Sequence, residues 1–258
     1  MAYKPLDLEG KVAVVVGGSS GIGKTLALGL AQAGADVVAS ARRIELVKTL
    51  ADEIEALGRR SLRVACDVGD RGSLEGLLKA CVDTFGKVDI LVNAAGITKR
   101  APTLEYAEAD WNRILDTNLT GTLRTCQIFG RHMIERKYGR IISIASMGSF
   151  LGLYEVAAYS ASKSGLASLT KSLAIEWARY GICVNAIAPG YFRTPLSEKL
   201  LVGTGRGQEV LLRTPMKRFG ELDELIGAAV FLASDAASFV TGVILPVDGG
   251  VLASGVNQ

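Results

Sequence analysis

Tyr159 and Lys163 stand four positions apart, and their types and spacing could move a proton. On a helix both side chains fall on one face, one turn apart. An ammonium beside a phenol favours the phenolate and draws its pKa down from about 10 toward neutrality. A phenol tuned in this way gives or takes a proton at cellular pH. Ser146 lies thirteen residues earlier, where a buried strand over 140–145 reads as ending. Alone, a Tyr-x-x-x-Lys pair is an ordinary surface pair of a helix. What surrounds it gives it weight.

A second stretch could hold phosphate. The β-branched run Val12–Val16 reads as a strand buried on both faces. It leads into Gly17-Gly18-Ser19-Ser20-Gly21-Ile22-Gly23 and then a helical pattern over 24–33, closed by Gly34. Glycines permit a tight turn and close backbone approach, and the N–H groups and dipole of the helix start attract a pyrophosphate. The spacing is Gly-x-x-x-Gly-x-Gly, and its place between a buried strand and a helix predicts a dinucleotide site made by Gly17, Ser19, Ser20, Gly21, Ile22 and Gly23. A second strand, 36–41, ends in Ser40-Ala41-Arg42-Arg43 with no acid. A carboxylate there would favour an unphosphorylated ribose, whereas Arg42 and Arg43 attract a 2′-phosphate, so NADP(H) is expected over NAD(H). The competing reading is that both arginines open the solvated helix that follows.

The elements that position these groups alternate. Helices read over 44–57, 73–85, 157–180 and 222–234, and strands over 61–66, 88–92, 140–145, 182–187 and 243–247. The stretch 109–137 is long for one helix, and Asp116-Thr117-Asn118 at its middle predicts a local distortion near Asn118. This order predicts an α/β fold: a single-domain, Rossmann-type, doubly wound parallel sheet of about seven strands with helices on both faces. Ligands of such sheets bind at the carboxyl ends of strands, and Gly17, Arg42, Asp67, Asn93, Ser146 and Pro189-Gly190 each close one.

Composition bounds the partners. In 258 residues, 49% are hydrophobic, enough for one large core, and 29 basic against 26 acidic residues give a net charge of +3 with no reason to expect nucleic acid or a membrane surface. The four cysteines form no Cys-x-x-Cys pair and read as free thiols of a reducing compartment. The single His132 cannot build a histidine metal site, so no metal is expected. The start shows no signal-peptide pattern and no apolar run spans a bilayer, so a cytoplasmic location is expected. Trp111 and Trp177 read as packing anchors, Tyr154 as a pocket wall or loop aromatic, and Gly203–Gly207 as a mobile loop rather than a second phosphate loop.

Taken together, Gly17-x-x-x-Gly21-x-Gly23, Asn93-Ala94-Ala95-Gly96, Asn118, Ser146, Tyr159-x-x-x-Lys163 and Pro189-Gly190 resemble the short-chain dehydrogenase/reductase family in order and spacing, over essentially the whole chain. The chain departs at Val16, where the family often has Thr, and at Ala94, where it often has Asn. The resemblance implies roles. Tyr159 would be the general acid–base, Lys163 would hold the nicotinamide ribose and lower the Tyr159 pKa, and Ser146 would bond the substrate oxygen. Asn118 would place a water leading to Lys163. Asp67 and Val68 would meet adenine, Asn93, Ala94 and Gly96 would line the groove, and Ile187, Pro189, Gly190 and Thr194 would meet the nicotinamide. It also implies a dinucleotide-binding half over about 8–140, a catalytic and substrate half over about 141–258 with a lid over about 191–218, and a homotetramer. The stretches 146–150, 189–192 and 238–250 resemble the sugar-acid reductase branch that contains gluconate 5-dehydrogenase, and Arg193, Arg206 and Arg213 could meet a carboxylate. The 3-oxoacyl-acyl-carrier-protein reductase branch, and a silent NADP-binding scaffold, are the alternatives. In either enzyme branch the small-molecule substrate is a ketone or secondary alcohol.

Overall fold

A computed structural model describes residues 3–193, 201 and 203–254. Six parallel strands form one sheet: β1 (Val12–Val16), β2 (Asp36–Ser40), β3 (Ile90–Asn93), β4 (Gly139–Ile144), β5 (Ile182–Pro189) and β6 (Ile244–Val247), in the order β2-β1-β3-β4-β5-β6. Each of the five central pairings is parallel, and Val16 stands opposite both Ser40 and Asn93 in register. The strand order reverses between β1 and β3, the place where such a sheet opens a crevice at its carboxyl edge.

Helices cover both faces because strand residues alternate between them. Ala13, Val15, Val37, Ile142 and Ile187 pack under α1 (Gly21–Gln32), α2 (Ile44–Ala56) and α8 (Ile226–Ala233) through Leu26, Leu30, Ile54 and Leu232. On the other face Val14, Val16, Leu91, Ile141 and Val184 meet α3 (Arg71–Phe85), α5 (Gly121–Arg136) and α6 (Ala157–Trp177) through Leu77, Phe129, Met133 and Leu173. These residues are nearly all fully buried, and each such side chain contributes about 1.5–3 kcal/mol relative to exposure. The remaining helices are α4 (Glu108–Leu115) and α7 (Gly205–Arg213).

Residues 61–66, read as a strand, form no ladder, so the sheet has six strands among the described residues. The segment runs beside β2 but is tied at its ends, where Val37 N–H donates to Arg60 O and Cys66 N–H to Ala41 O. Between them the Ser40 hydroxyl donates to Val64 O at 2.6 Å, a side chain standing where a ladder bond would lie. Two other readings are refined. The glycine stretch at 203–207 opens α7 instead of remaining a loop, because Thr204 caps it by accepting from Gly207 N–H at 3.0 Å. The expected distortion near Asn118 is a π-helical turn, Asp116–Thr120, between α4 and α5. Trp177 packs on Gly130, and His132 Nε2 accepts from Val88 N–H at 3.1 Å.

Candidate active site

The glycine-rich turn is built by crowding. Gly17 has φ +87°, and a Cβ there would lie 2.3 Å from Ala95 N, so only glycine lets the turn press on the loop after β3. A Cβ on Gly23 would lie 2.3 Å from Gly17 O, which sets α1 directly against the turn. The N–H groups of Gly17 and Gly18 both donate to Ser40 O, locking the turn to the end of β2. Ser20 precedes α1 without capping it, so no side chain takes the first N–H groups of that helix. The Arg43 guanidinium reaches back over this turn, 3.2 Å from Ser20 Oγ and 3.5 Å from Ser19 Oγ. Arg42 is exposed and has no partner among the described residues. The two arginines are thereby separated: Arg43 and two hydroxyls form a basic, donor-rich corner, and Arg42 faces solvent.

Three strands across the sheet from β2, β4 ends and the chain turns at Ser146. Ser146 Oγ accepts from Gly148 N–H at 3.1 Å and caps the short turn Met147–Ser149. Ser146 faces the Tyr159 phenol closely enough to draw its pKa down. Lys163 is 4% exposed, with Nζ 5.7 Å from the Tyr159 ring centroid and donating to Ile144 O. The helical spacing thus does bring Tyr159 and Lys163 to one face, opposite the strand-end serine. The electrostatics differ from the expected lowering of the phenol. Burial pushes the Tyr159 phenol above its ordinary value, while Ser146 pulls the other way. Burial also lowers Lys163 from 10.5 to about 8. The physical reason is desolvation: both groups leave water together, and the ammonium is spent on the Ile144 carbonyl instead of the phenol.

Asn118 is fully buried at the π-turn. Its Oδ1 accepts from Ile97 N–H at 2.8 Å, and its Nδ2 donates to Ile97 O at 2.9 Å and Ser162 Oγ at 3.0 Å. The extra residue of the π-turn aims this side chain at the loop after β3 and at α6 at once. A Cβ on Gly96 would lie 3.5 Å from Asn118 Oδ1 and 3.6 Å from Lys163 Nζ, so that loop runs close over the pair.

Asn93 donates to Ser143 Oγ at 3.3 Å and its buried Oδ1 has no partner; Ala94 N–H donates to Val16 O. Asp67 accepts from Gly69 N–H at 2.9 Å, and Val68 packs on Gly121. Pro189 closes β5, and Gly190 crosses Asp248, whose Cα would be 2.6 Å from a Cβ at 190. Asn93, Ala94, Pro189 and Gly190 lie at the carboxyl edge of the sheet or in the loops leaving it, as the strand-end pattern predicted, whereas Asp67 and Val68 follow the 61–66 segment, which is not a strand. Thr194 lies outside the described residues. Arg193 stands 3.9 Å from Glu221 and Arg213 pairs with Glu209 at 3.0 Å, while Arg206 has no carboxylate partner among the described residues. A cavity of about 370 Å³ beyond Gly190 is lined by Tyr191, Phe192, Arg218 and Asp248 and does not include Ser146 or Tyr159. Sequence reading missed one pairing at the mouth: Arg100 meets Glu155 at 2.6 Å and Ala101 N–H donates to Glu155 O, with Glu155 at φ +60°. No local pattern joins residues so far apart; two unlike charges in the loops after β3 and β4 were the available hint. Tyr154 beside them is exposed, its ring 5.9 Å from the Arg100 guanidinium.

Comparison with known proteins agrees with this arrangement. A family model described as Enoyl-(Acyl carrier protein) reductase matches residues 16–252. The chain is 43% identical over 254 residues to the 2-dehydro-3-deoxy-D-gluconate 5-dehydrogenase of Escherichia coli (strain K12), covering 98% of this chain and 100% of that one. It is 41% identical over 248 residues to the gluconate 5-dehydrogenase of Gluconobacter oxydans (strain 621H), covering 96% and 97%. Among solved structures it is similar to a gluconate 5-dehydrogenase from Burkholderia cenocepacia J2315 in complex with NADP and tartrate, with a TM-score of 0.94, 40% identity, and 98% and 99% of the two chains covered. Full-length similarity of this depth, on a sheet that carries the glycine turn, Ser146 and the Tyr159–Lys163 pair at one edge, means that the chain belongs to the short-chain dehydrogenase/reductase family.

Proposed function

We propose that this chain is an NADP(H)-dependent oxidoreductase that interconverts a ketone and a secondary alcohol, its substrate a sugar acid or similarly small and polar. The observation that carries the reading is the strand-end Ser146 facing the Tyr159 phenol, with Lys163 buried 5.7 Å from the Tyr159 ring centroid. The residues fit the cofactor. The uncapped start of α1 at Gly21, Ile22 and Gly23 would take the pyrophosphate, and Arg43 with Ser19 and Ser20 would take a 2′-phosphate. Asp67 and Val68 would meet the adenine, Asn93, Ala94 and Gly96 the groove floor, and Pro189, Gly190 and Thr194 the nicotinamide end. When bound, the nicotinamide supplies or accepts the hydride.

The chain's own groups do the rest. A phenol raised by burial is protonated at neutral pH, so Tyr159 gives its proton to the carbonyl oxygen during reduction and recovers it in the reverse direction. Ser146 bonds the same oxygen and carries its developing charge. Lys163 would hold the ribose hydroxyls and place positive charge beside Tyr159. Asn118, whose side-chain amide is committed to Ile97 and Ser162 and whose backbone carbonyl accepts from Thr122 Oγ1 at 2.9 Å, keeps the loop after β3 over Lys163 and would help place a water that resupplies the proton.

The names of the relatives support a sugar-acid substrate, whereas the description of the family model supports an acyl-carrier thioester. Four buried free cysteines suit a reducing compartment, and no described helix is long and apolar enough to cross a membrane. A homotetramer suits the partly exposed edge strand β6, the largely exposed Ile175 and the fully exposed Phe239. Light scattering tests it: a monomeric mass contradicts it.

The deciding experiment is a turnover panel of 5-ketogluconate, a 3-oxoacyl thioester and simple ketones, each with NADPH and NADH, with Tyr159→Phe as control. Turnover of the keto acid with NADPH, lost in Tyr159→Phe, is the expected result. Preference for the thioester moves the substrate to the alternative class. Saturable NADPH binding with no turnover across the panel supports a scaffold, and activity retained by Tyr159→Phe overturns the proton assignment.

A further inference from the structure

Ser146 can serve the reading above only while its hydroxyl faces Tyr159, and the turn it caps is short and leads into the half-exposed Phe150 and Leu151. We propose that Ser149 and Ser164, two serines outside the reacting group, are positioning residues that hold the Ser146 hydroxyl on Tyr159 by stitching the 146–149 turn to helix α6. This inference rests on the functional reading for its catalytic consequence and on geometry alone for its structural one.

The stitch is a crossed pair. From the turn, Ser149 Oγ donates to Lys163 O at 2.7 Å; from the helix, Ser164 Oγ donates to Gly148 O at 3.1 Å. Because one bond runs each way, sliding or tilting the turn along α6 lengthens at least one of them. The two peptide units around Gly148 are fixed between these bonds, and one of them presents the Gly148 N–H that donates to Ser146 Oγ. That donation occupies a lone pair of Ser146 and leaves its own proton free for the Tyr159 oxygen. Lys163 Nζ on Ile144 O ties α6 to the end of β4 just before this turn. Space is tight as well: a Cβ at Gly148 would lie 3.3 Å from Leu153 Cδ1, 3.4 Å from Ser160 Oγ and 3.5 Å from Ser146 Oγ.

Ser160 supplies the contrast. Its hydroxyl is buried in the same layer and has no hydrogen-bond partner, so it fills space beside the turn without tying it to the helix. Tyr159 itself is faced by Ser146 from the turn and by Lys163 from its own helix. Loosening the stitch therefore acts on the phenol through Ser146.

The test is a pH titration of the full-length protein carrying ring-13C tyrosine, followed by NMR, with Tyr159→Phe identifying the Tyr159 signal. In Ser149→Ala and in Ser164→Ala the phenol titrates higher by about 0.5–1 pH unit, part of the 1–2 expected for a full hydrogen bond to the charged form. The double variant moves by less than the two together, since either break frees the turn. Ser164→Thr, which keeps a hydroxyl, and Ser160→Ala, which removes the unpaired one, leave the titration unchanged. With a turned-over ketone, kcat falls about tenfold in the alanine variants while KM and NADPH affinity stay within about twofold. An unmoved Tyr159 titration in both alanine variants overturns the proposal, even if they melt earlier. Ser164 is exposed and Ser149 half-buried, so Ser164→Ala carries the titration if Ser149→Ala folds poorly. Should no ketone be turned over by the unaltered protein, the functional reading fails while the titration still decides the stitch.

Discussion

Replacing Lys163 by methionine separates what the side chain costs the fold from what it does at the site. Burial lowers this amine from its ordinary 10.5 to about 8. At about 1.4 kcal/mol per pH unit, keeping it charged in the native state at pH 7 costs about 3 kcal/mol. Methionine fits a similar volume without charge, but it leaves Ile144 O without the ammonium, a loss of about 1 kcal/mol. The variant is therefore expected to be more stable than the parent by about 1–2 kcal/mol at pH 7. The sign follows from proton binding. Between about 8 and 10.5 the unfolded chain holds more protons on this lysine than the native chain, so the parent gains stability as pH rises through that window. Urea unfolding without nucleotide, at several pH values from about 7 to about 10, reads both numbers. The difference between the two proteins is largest near pH 7 and shrinks or reverses near pH 10, while ketone turnover is absent from the variant throughout. A variant less stable than the parent at pH 7, or a difference that does not change with pH, refutes the claim that Lys163 is held charged against a desolvation penalty.

Three further outcomes are expected. Gly17→Ala meets both a left-handed φ and backbone atoms at 2.3 Å, whereas Gly21→Ala meets a left-handed φ and open space; urea unfolding is expected to show about 1 kcal/mol lost at Gly21 and at least about 3 kcal/mol at Gly17, and equal losses refute the crowding argument. Arg43→Ala is expected to weaken NADPH about 10- to 100-fold and leave NADH nearly unchanged, with Arg42→Ala doing less, because only Arg43 lies against Ser19 and Ser20; isothermal titration with both nucleotides checks it, and the reverse ranking overturns the assignment. His132 accepts from Val88 N–H, and burial, followed by repulsion from Arg136, lowers its pKa, so the unfolded chain binds its proton first as the solution is acidified. Stability is then lost as pH falls below the unfolded value of about 6.5, and that acid-side slope flattens in His132→Asn; an unchanged slope contradicts it.

Local chemistry made much of the fold legible. Val12–Val16 can only be a strand buried on both faces, and the glycines after it demand a turn that nothing with a Cβ could make. Asn118 in the middle of a helical stretch pointed to a distortion, and a π-turn stands there. Residues 61–66 carry a strand-like pattern yet form no ladder, because pairing depends on what the neighbouring strand offers, and there Ser40 takes the place with its side chain. The loop glycines at 203–207 likewise turned helical once Thr204 had a helix to cap.

The division at the site follows the same line. Residue order and type alone determined which groups are present: a phenol and an amine one helical turn apart, a serine at a strand end, a glycine turn before a helix, and arginines where an acid would otherwise stand. Only the tertiary structure decided their state. It put Arg43 rather than Arg42 over the glycine turn, raised the phenol that was expected to be lowered, and tied the Ser146 turn to α6 through Ser149. Spacing along a chain fixes which side chains share a face of one element, but desolvation and contacts between elements depend on what the remainder of the fold packs around them.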